Sequence, residues 1–263
     1  MNTTILNVSG DSADDVKIEA AGNLLKEGKL VAFPTETVYG LGANALDEEA
    51  AARIYSAKGR PSDNPLIVHI ADWDALGLIV KEIPPEAKLL ADKFWPGPLT
   101  MIFKKKDIVP AKATGGLDTV AVRFPNHPVA RAIIRAAGLP IAAPSANSSG
   151  KPSPTRASHV EYDLNVKIDM IVDGGAAEWG LESTIVDVSD EIPMILRPGA
   201  VTKEMIEEVV GQVEIDPAIL HKPTADFKPK APGMKYTHYS PKAEVFLVKG
   251  EQKAVAERIN ALA

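Results

Sequence analysis

Two short polar clusters hold the residues whose types and spacing best suit chemistry: K-G-R-P-S-D-N-P-L at Lys58 to Leu66 and A-P-S-A-N-S-S-G at Ala143 to Gly150. In the first, two cations stand one residue apart, and an extended segment projects such a pair to one side. A guanidinium offers a planar fork of donors and an ammonium a mobile point charge, so Lys58 and Arg60 could clamp a polyphosphate. In the second, Ser145 and Asn147 repeat that spacing after the apolar run 139–142, which reads as a strand, and supply neutral donors and acceptors at its end. No activating base stands near Ser145 in sequence, so it is not read as a nucleophile. Taken singly, such residues commonly serve helix ends and turn backbone. Together they describe a site for an anionic, hydrogen-bonding ligand.

Further segments of the same polar, Pro-Gly-punctuated kind recur along the chain: F-P-T-E-T-V-Y-G-L at Phe33 to Leu41, W-P-G-P-L-T at Trp95 to Thr100 and V-R-F-P at Val122 to Pro125. S-T-I-V-D at Ser183 to Asp187, R-P-G at Arg197 to Gly199 and P-G-M-K-Y-T-H-Y-S-P at Pro232 to Pro241 complete the set. Each alone is a weak signal. In this order they closely resemble the threonylcarbamoyl-AMP synthases with a YrdC-type domain, in the long form that carries a linker and a second domain. That resemblance implies a twisted YrdC-type sheet with an open concave face. It also implies a reaction in which L-threonine, bicarbonate and ATP give threonylcarbamoyl-AMP and pyrophosphate. The product would pass to downstream tRNA threonylcarbamoyl transferase proteins, with contact to tRNA itself indirect. The substrate brings its own nucleophile, so the protein's tasks are alignment, charge neutralisation and exclusion of water.

Carried onto this sequence, the resemblance assigns ATP to Lys58, Arg60, Asn64, Thr119, Ser145, Asn147, Ser153, Arg197 and Tyr236, with Lys58 and Arg60 as the catalytic cations. It assigns L-threonine to Thr37, His69, Arg123, Ala143 and Ser183, with Arg123 on the carboxylate. His69 lies in I-V-H-I, where a lone histidine on an apolar strand is by default a satisfied core residue; only the resemblance raises it above that. Tyr39 reads as packing. Tyr236, His238 and Tyr239 crowd a segment too polar for a core, and in the long form this segment folds back over the nucleotide as a water-excluding lid. Magnesium is implied as the companion of a triphosphate, with no protein ligand assigned to it.

These residues need elements to place them. Asp14 to Glu27 has helical apolar spacing with Gly28 as a stop, Leu30 to Phe33 reads as a strand, and Asp47 opens a helix through Tyr55 that delivers the K-G-R cluster. Strands then follow at 66–70, 99–104 and 120–124, alternating with helices at 85–93 and 127–137. Three closely spaced strands at 170–173, 183–188 and 194–197 argue for some antiparallel pairing, and 203–210 reads as a helix. The fold class is therefore α/β with an open, mixed sheet. Neither a Rossmann fingerprint nor a P-loop occurs, so a nucleotide would be held by other means. From Asp216 to Pro241 prolines fall among lysines and the chain reads as an extended linker. After it come a strand at 243–248 and a helix at 251–262, too little to bury a core. The expected organisation is a catalytic domain over 1–215, a linker and lid over 216–241, and over 242–263 the start of a small α/β domain that the long form would continue and that here looks truncated or absent.

Composition bounds the function classes. At 263 residues and 45% hydrophobic content, the chain can bury roughly 70 to 75% of its unfolded surface without staples. It has no cysteine, which excludes disulfides, thiolate metal sites and a cysteine nucleophile. Its histidines show no paired ligand spacing. No stretch has the length of a signal or bilayer-spanning segment, which predicts a soluble cytoplasmic protein without membrane contact. The alternative of a non-catalytic RNA-binding or ribosome-associated module is disfavoured by a formal net charge of −6 and 5% aromatic residues. Carbamoyl transfer of the hydrogenase-maturation kind is disfavoured by the long-form linker.

Overall fold

The computed structural model of the chain describes residues 2–9, 14–220, 229–232, 234 and 244–262. Its first elements are β1 (Thr4–Asn7), α1 (Asp15–Lys26), β2 (Val31–Phe33), β3 (Gly40–Asn44), α2 (Glu48–Lys58), β4 (Ile67–His69), α3 (Leu76–Ile79), α4 (Pro85–Phe94), β5 (Leu99–Lys104) and β6 (Thr119–Arg123). There follow α5 (Pro128–Ala137), β7 (Ile141–Ala142), α6 (Ala157–Leu164), β8 (Met170–Asp173), β9 (Thr184–Asp187), β10 (Met194–Arg197), α7 (Lys203–Val210), β11 (Glu214–Ile215), α8 (Pro217–Leu220) and α9 (Gln252–Leu262). Among the described residues the strands form one mixed sheet in the order β1-β8-β2-β3-β7-β4-β6-β5-β9-β10-β11. The expected α/β class and mixed sheet are what the chain adopts. Antiparallel pairing near 170–197 occurs between β9 and β10, whereas β8 pairs in parallel with β1 and β2.

Strand alternation gives the sheet two unlike faces. On one, Val68, Met101, Phe103, Val120, Val122 and Val186 join residues of α2, α4, α6 and α7 in the main core. On the other, α1 and α5 cover only the β1-β8-β2-β3 end, through Ala21, Leu25, Val129, Ile133 and Ile134. Over β4, β6, β5 and β9 that second face is not covered by α1 or α5, and among the described residues α8 reaches its apolar cluster through Ala218. Its apolar residues Ile67, Ile102, Ala121, Ile185 and Leu196 are buried instead against Ala231 and Met234, which belong to the segment read as a linker. This uncovered face positions the site.

Two expectations fail here. The K-G-R cluster is not extended: Lys58 is the last residue of α2, and Gly59 closes that helix in the left-handed region at φ 62°, a conformation glycine adopts at least cost. The helix is set from its other end by Asp47, whose carboxylate accepts from the Glu49 and Ala50 amides. Residues 244–249 form no strand, and α9 buries no residue. Among the described residues no strand pairs with this run to complete its hydrogen bonds.

Candidate active site

Register places the first part of the site. Parallel pairing of β4 with β6 sets His69 beside Arg123, and antiparallel pairing of β5 with β6 sets Thr100 on its other side. All three project to this second face. The turn between β2 and β3 adds Thr35, Glu36 and Thr37, the end of β7 leads to Ala143, and Ser183 directly precedes β9. Thr37, His69, Arg123, Ala143 and Ser183, the residues expected to hold threonine, line one pocket.

Within it, Arg123 is nearly enclosed, at 4% exposure. Its Nη2 pairs with Glu36 Oε1 at 2.6 Å, its Nη1 donates to Thr37 Oγ1 at 2.8 Å, and its Nε donates to the Gly97 carbonyl at 3.3 Å. A guanidinium has five N–H groups, so this fixed frame leaves donors for a ligand. His69 Nδ1 lies 3.2 Å from the Ile67 carbonyl. Because a carbonyl only accepts, Nδ1 carries the proton and Nε2 is left as an acceptor. Burial, and then the charge of Arg123, push the His69 pKa down to about 3, so the ring is neutral at physiological pH. Thr100 and Ser183 hydroxyls meet at 2.7 Å.

The same pocket extends to Arg60, Ser145 and Arg197. Arg60 is oriented by the carbonyls of Asn64 at 3.2 Å and Pro65 at 2.9 Å. Arg197 Nε and Nη2 donate to the Ser183 carbonyl at 3.0 and 2.9 Å. Lys58 sits behind these residues, 4% exposed. Its ammonium donates to the Ser145 carbonyl and, at 2.5 Å, to that of Asn147, which ties the two polar clusters together. Burial first, and then Arg60, hold its pKa well below the ordinary lysine value. Asn147 donates to the Ser148 and Lys151 carbonyls at 3.0 and 2.7 Å and accepts from Ser145 Oγ at 2.6 Å. Its carboxamide is engaged by its own loop. With its proton directed to Asn147, Ser145 Oγ offers lone pairs to a ligand.

Three other assigned residues, Asn64, Ser153 and Thr119, are not part of this lining. Asn64 is 1% exposed, and neither atom of its amide has a protein partner. The Ser153 hydroxyl is likewise buried and unpartnered, in a neighbouring recess with Lys151 and Thr155. Thr119 begins β6 on the face that carries Arg123, about 13 Å from it along the strand. Tyr236, with His238 and Tyr239, lies outside the described residues. Of the segment that contains it, Pro232 lines the pocket, and Lys230 pairs with Asp187 at 3.1 Å.

Sequence reasoning missed Glu36, Thr35, Thr100 and Glu182. Glu36 offered a signal, as a lone carboxylate inside the otherwise uncharged segment 30–46. Thr100 and Ser183 become neighbours only through the β5–β9 register. Glu182 also lines the pocket, with an Oε1 that has no protein partner.

A sheet face left uncovered by α1 and α5, which joins a framed arginine and neutral acceptors to a recess with two further arginines, defines an α/β protein with a small-molecule site for a ligand of several polar groups. The chain belongs to the Sua5–YciO–YrdC family, described as telomere recombination, which matches residues 23–199; a threonylcarbamoyl-AMP synthase C-terminal domain matches 201–262. It is 54% identical to the threonylcarbamoyl-AMP synthase of Pyrococcus abyssi over 99% of this chain and 76% of that protein. Identity to the Bacillus subtilis threonylcarbamoyl-AMP synthase is 52%, over 94% of this chain and 71% of that one. The crystal structure of P. abyssi Sua5 complexed with L-threonine superposes with a TM-score of 0.94 at 54% identity, over 99% of this chain and 76% of that one. Escherichia coli YciO, at 23% identity and a TM-score of 0.68 over 75% of this chain and 96% of its own, shares the fold. These relationships make the chain an enzyme of the threonylcarbamoyl-AMP synthase family. No helix among the described residues is long and apolar enough to cross a membrane.

Proposed function

We propose that this protein makes threonylcarbamoyl-AMP from L-threonine, bicarbonate as its carbon dioxide equivalent, and ATP, with release of pyrophosphate. The observation that carries this reading is the continuity of the Arg123 pocket with Arg60, Ser145 and Arg197. It is supported by high identity to a relative described as complexed with L-threonine. Arg123 takes the threonine carboxylate, while Thr37 Oγ1 and His69 Nε2 accept from its amine and hydroxyl. One proton of the threonine ammonium passes to bicarbonate, which loses water to become carbon dioxide; the bare nitrogen then attacks the carbon of carbon dioxide, releases a second proton to solvent and becomes a carbamate. A carbamate oxygen then attacks the α-phosphorus, the bond from that phosphorus to the bridging oxygen breaks, and pyrophosphate leaves. Arg60 and Arg197 neutralise charge that develops on the phosphate oxygens. Lys58 acts from behind by fixing the Ser145–Asn147 backbone, and Asn64, Ser153 and Thr119 extend the ATP contacts.

Bound with the triphosphate, a magnesium ion would supply charge neutralisation for the leaving pyrophosphate. Glu182, a pocket carboxylate with an oxygen that lacks a protein partner, is the donor type such an ion takes. Tyr236, outside the described residues, is kept as a further ATP contact, and the product passes to an enzyme that transfers the threonylcarbamoyl group to tRNA. The test is pyrophosphate release from ATP and magnesium, with threonine and bicarbonate supplied or withheld. Release should require both. Release that ignores threonine, or none from folded protein, contradicts the reading.

A further inference from the structure

The reaction leaves one enclosed group without a role. Glu36 pairs with Arg123 at 2.6 Å through Oε1, and its Oε2 accepts the Asn126 amide at 3.1 Å; both paired side chains are 5% exposed. An arginine so desolvated and left unbalanced would attract any small anion. The pocket would handle two of these, bicarbonate and phosphate, a few residues away. We propose that Glu36 determines specificity: by balancing Arg123 it reserves that guanidinium for the carboxylate of a zwitterionic amino acid and turns away free anions. This inference rests on the threonine reading of the pocket.

The charge around the pair supports it. His69 is neutral, and burial lowers the pKa of His127, which also faces Glu36. Arg123 and Glu36 therefore offset each other. A free anion gains hydrogen bonds from Arg123 but carries its own charge into a poorly solvated site. A zwitterion brings a compensating ammonium, and the pocket is wired with acceptors for it. Thr35 Oγ1 donates to the Val38 carbonyl at 2.6 Å, so in its 2.9 Å contact with Thr37 it accepts, and Thr37 donates. Thr37 Oγ1, which also accepts from Arg123, thus shows only a lone pair to a ligand. His69 Nε2 does the same. A simple anion such as bicarbonate or hydrogen phosphate has at most a neutral O–H to offer these acceptors and brings no cation to them.

The experiment is calorimetric titration of the whole chain with L-threonine and with 3-hydroxybutyrate, which keeps the carboxylate and hydroxyl but lacks the amine. Wild type should prefer threonine by about a hundredfold or more. Glu36→Gln, which keeps an acceptor oxygen and removes the charge, should cut that preference at least about tenfold, through tighter 3-hydroxybutyrate binding. Glu36→Asp should retain the wild-type preference. A folded Gln variant with unchanged preference, or with both ligands weakened equally, overturns the proposal and leaves the threonine site standing. Should the Gln variant not fold, comparable wild-type affinity for the two ligands would overturn it, and a preference kept by the Asp variant would support it. Wild type that binds no threonine defeats the threonine reading itself.

Discussion

Arg60 and Arg123 share one pocket but are framed by different elements, so their loss should separate kinetically. Arg123→Ala removes the partner of the amino-acid carboxylate and should raise the threonine KM by about 10²-fold with far less change for ATP. Equal effects on both substrates would contradict the assignment. Arg60→Ala should lower kcat by more than about 10²-fold with the fold intact, measured as pyrophosphate release, since its charge matters most as phosphate oxygens gain negative charge. Asn64 differs in kind. Its amide is buried with no protein partner, so Asn64→Ala should cost little or no stability while weakening ATP binding about tenfold; a large drop in Tm would show that the amide serves the fold. His69 carries a pH signature. Its folded pKa near 3 lies below the ordinary 6.5, so between these values the unfolded chain holds the extra proton. Stability should fall as pH drops from about 6.5, by up to about 1.4 kcal/mol per unit. His69→Gln should flatten that limb of a Tm-against-pH curve.

At the scale of elements, the strands and helices with clear apolar period were legible: β5, β10 and α7 fall where the sequence places them. β3 was not. G-L-G-A-N lacks the β-branched and aromatic residues that announce a strand, and its glycine content has a steric cause. A Cβ on Gly42 would lie 2.6 Å from Phe33 Cε1 and 3.1 Å from Ile141 Cγ2. Gly42→Ala should therefore destabilise by about 1 to 3 kcal/mol, which urea denaturation would show as a lower midpoint at constant slope. β11 has two residues, too short for any periodicity, whereas β7 falls within the apolar run 139–142 that reads as a strand. Of the site, the residue types in the two polar clusters were legible, and their arrangement was not. K-G-R reads as two parallel cations in extended chain, yet the left-handed turn at Gly59 sends Arg60 to the pocket and Lys58 to backbone carbonyls. Glu36 escaped because its partner stands 87 residues away, a pairing set by β2–β3 and β4–β6 packing rather than by local spacing.

For the whole molecule, the unequal cover of the sheet is the decisive feature. Helices α2, α4, α6 and α7 pack on one face, while α1 and α5 cover the other over β1, β8, β2 and β3 and leave room over β4, β6, β5 and β9, where Arg123 is in register with His69 and Thr100. Ala231, Pro232 and Met234 return to this surface from far along the chain. With a net charge of −6, a polyphosphate is drawn by the local pair Arg60 and Arg197 against the field of the whole, while Glu36 balances Arg123. The central claim is that one pocket unites an amino acid, carbon dioxide and ATP. Its most direct test is mass spectrometry of the adenylate formed with ¹³C-bicarbonate. The account predicts a threonylcarbamoyl adenylate that carries the label. An unlabelled threonyl adenylate, with the amino acid's own carboxylate joined to phosphorus, would contradict it.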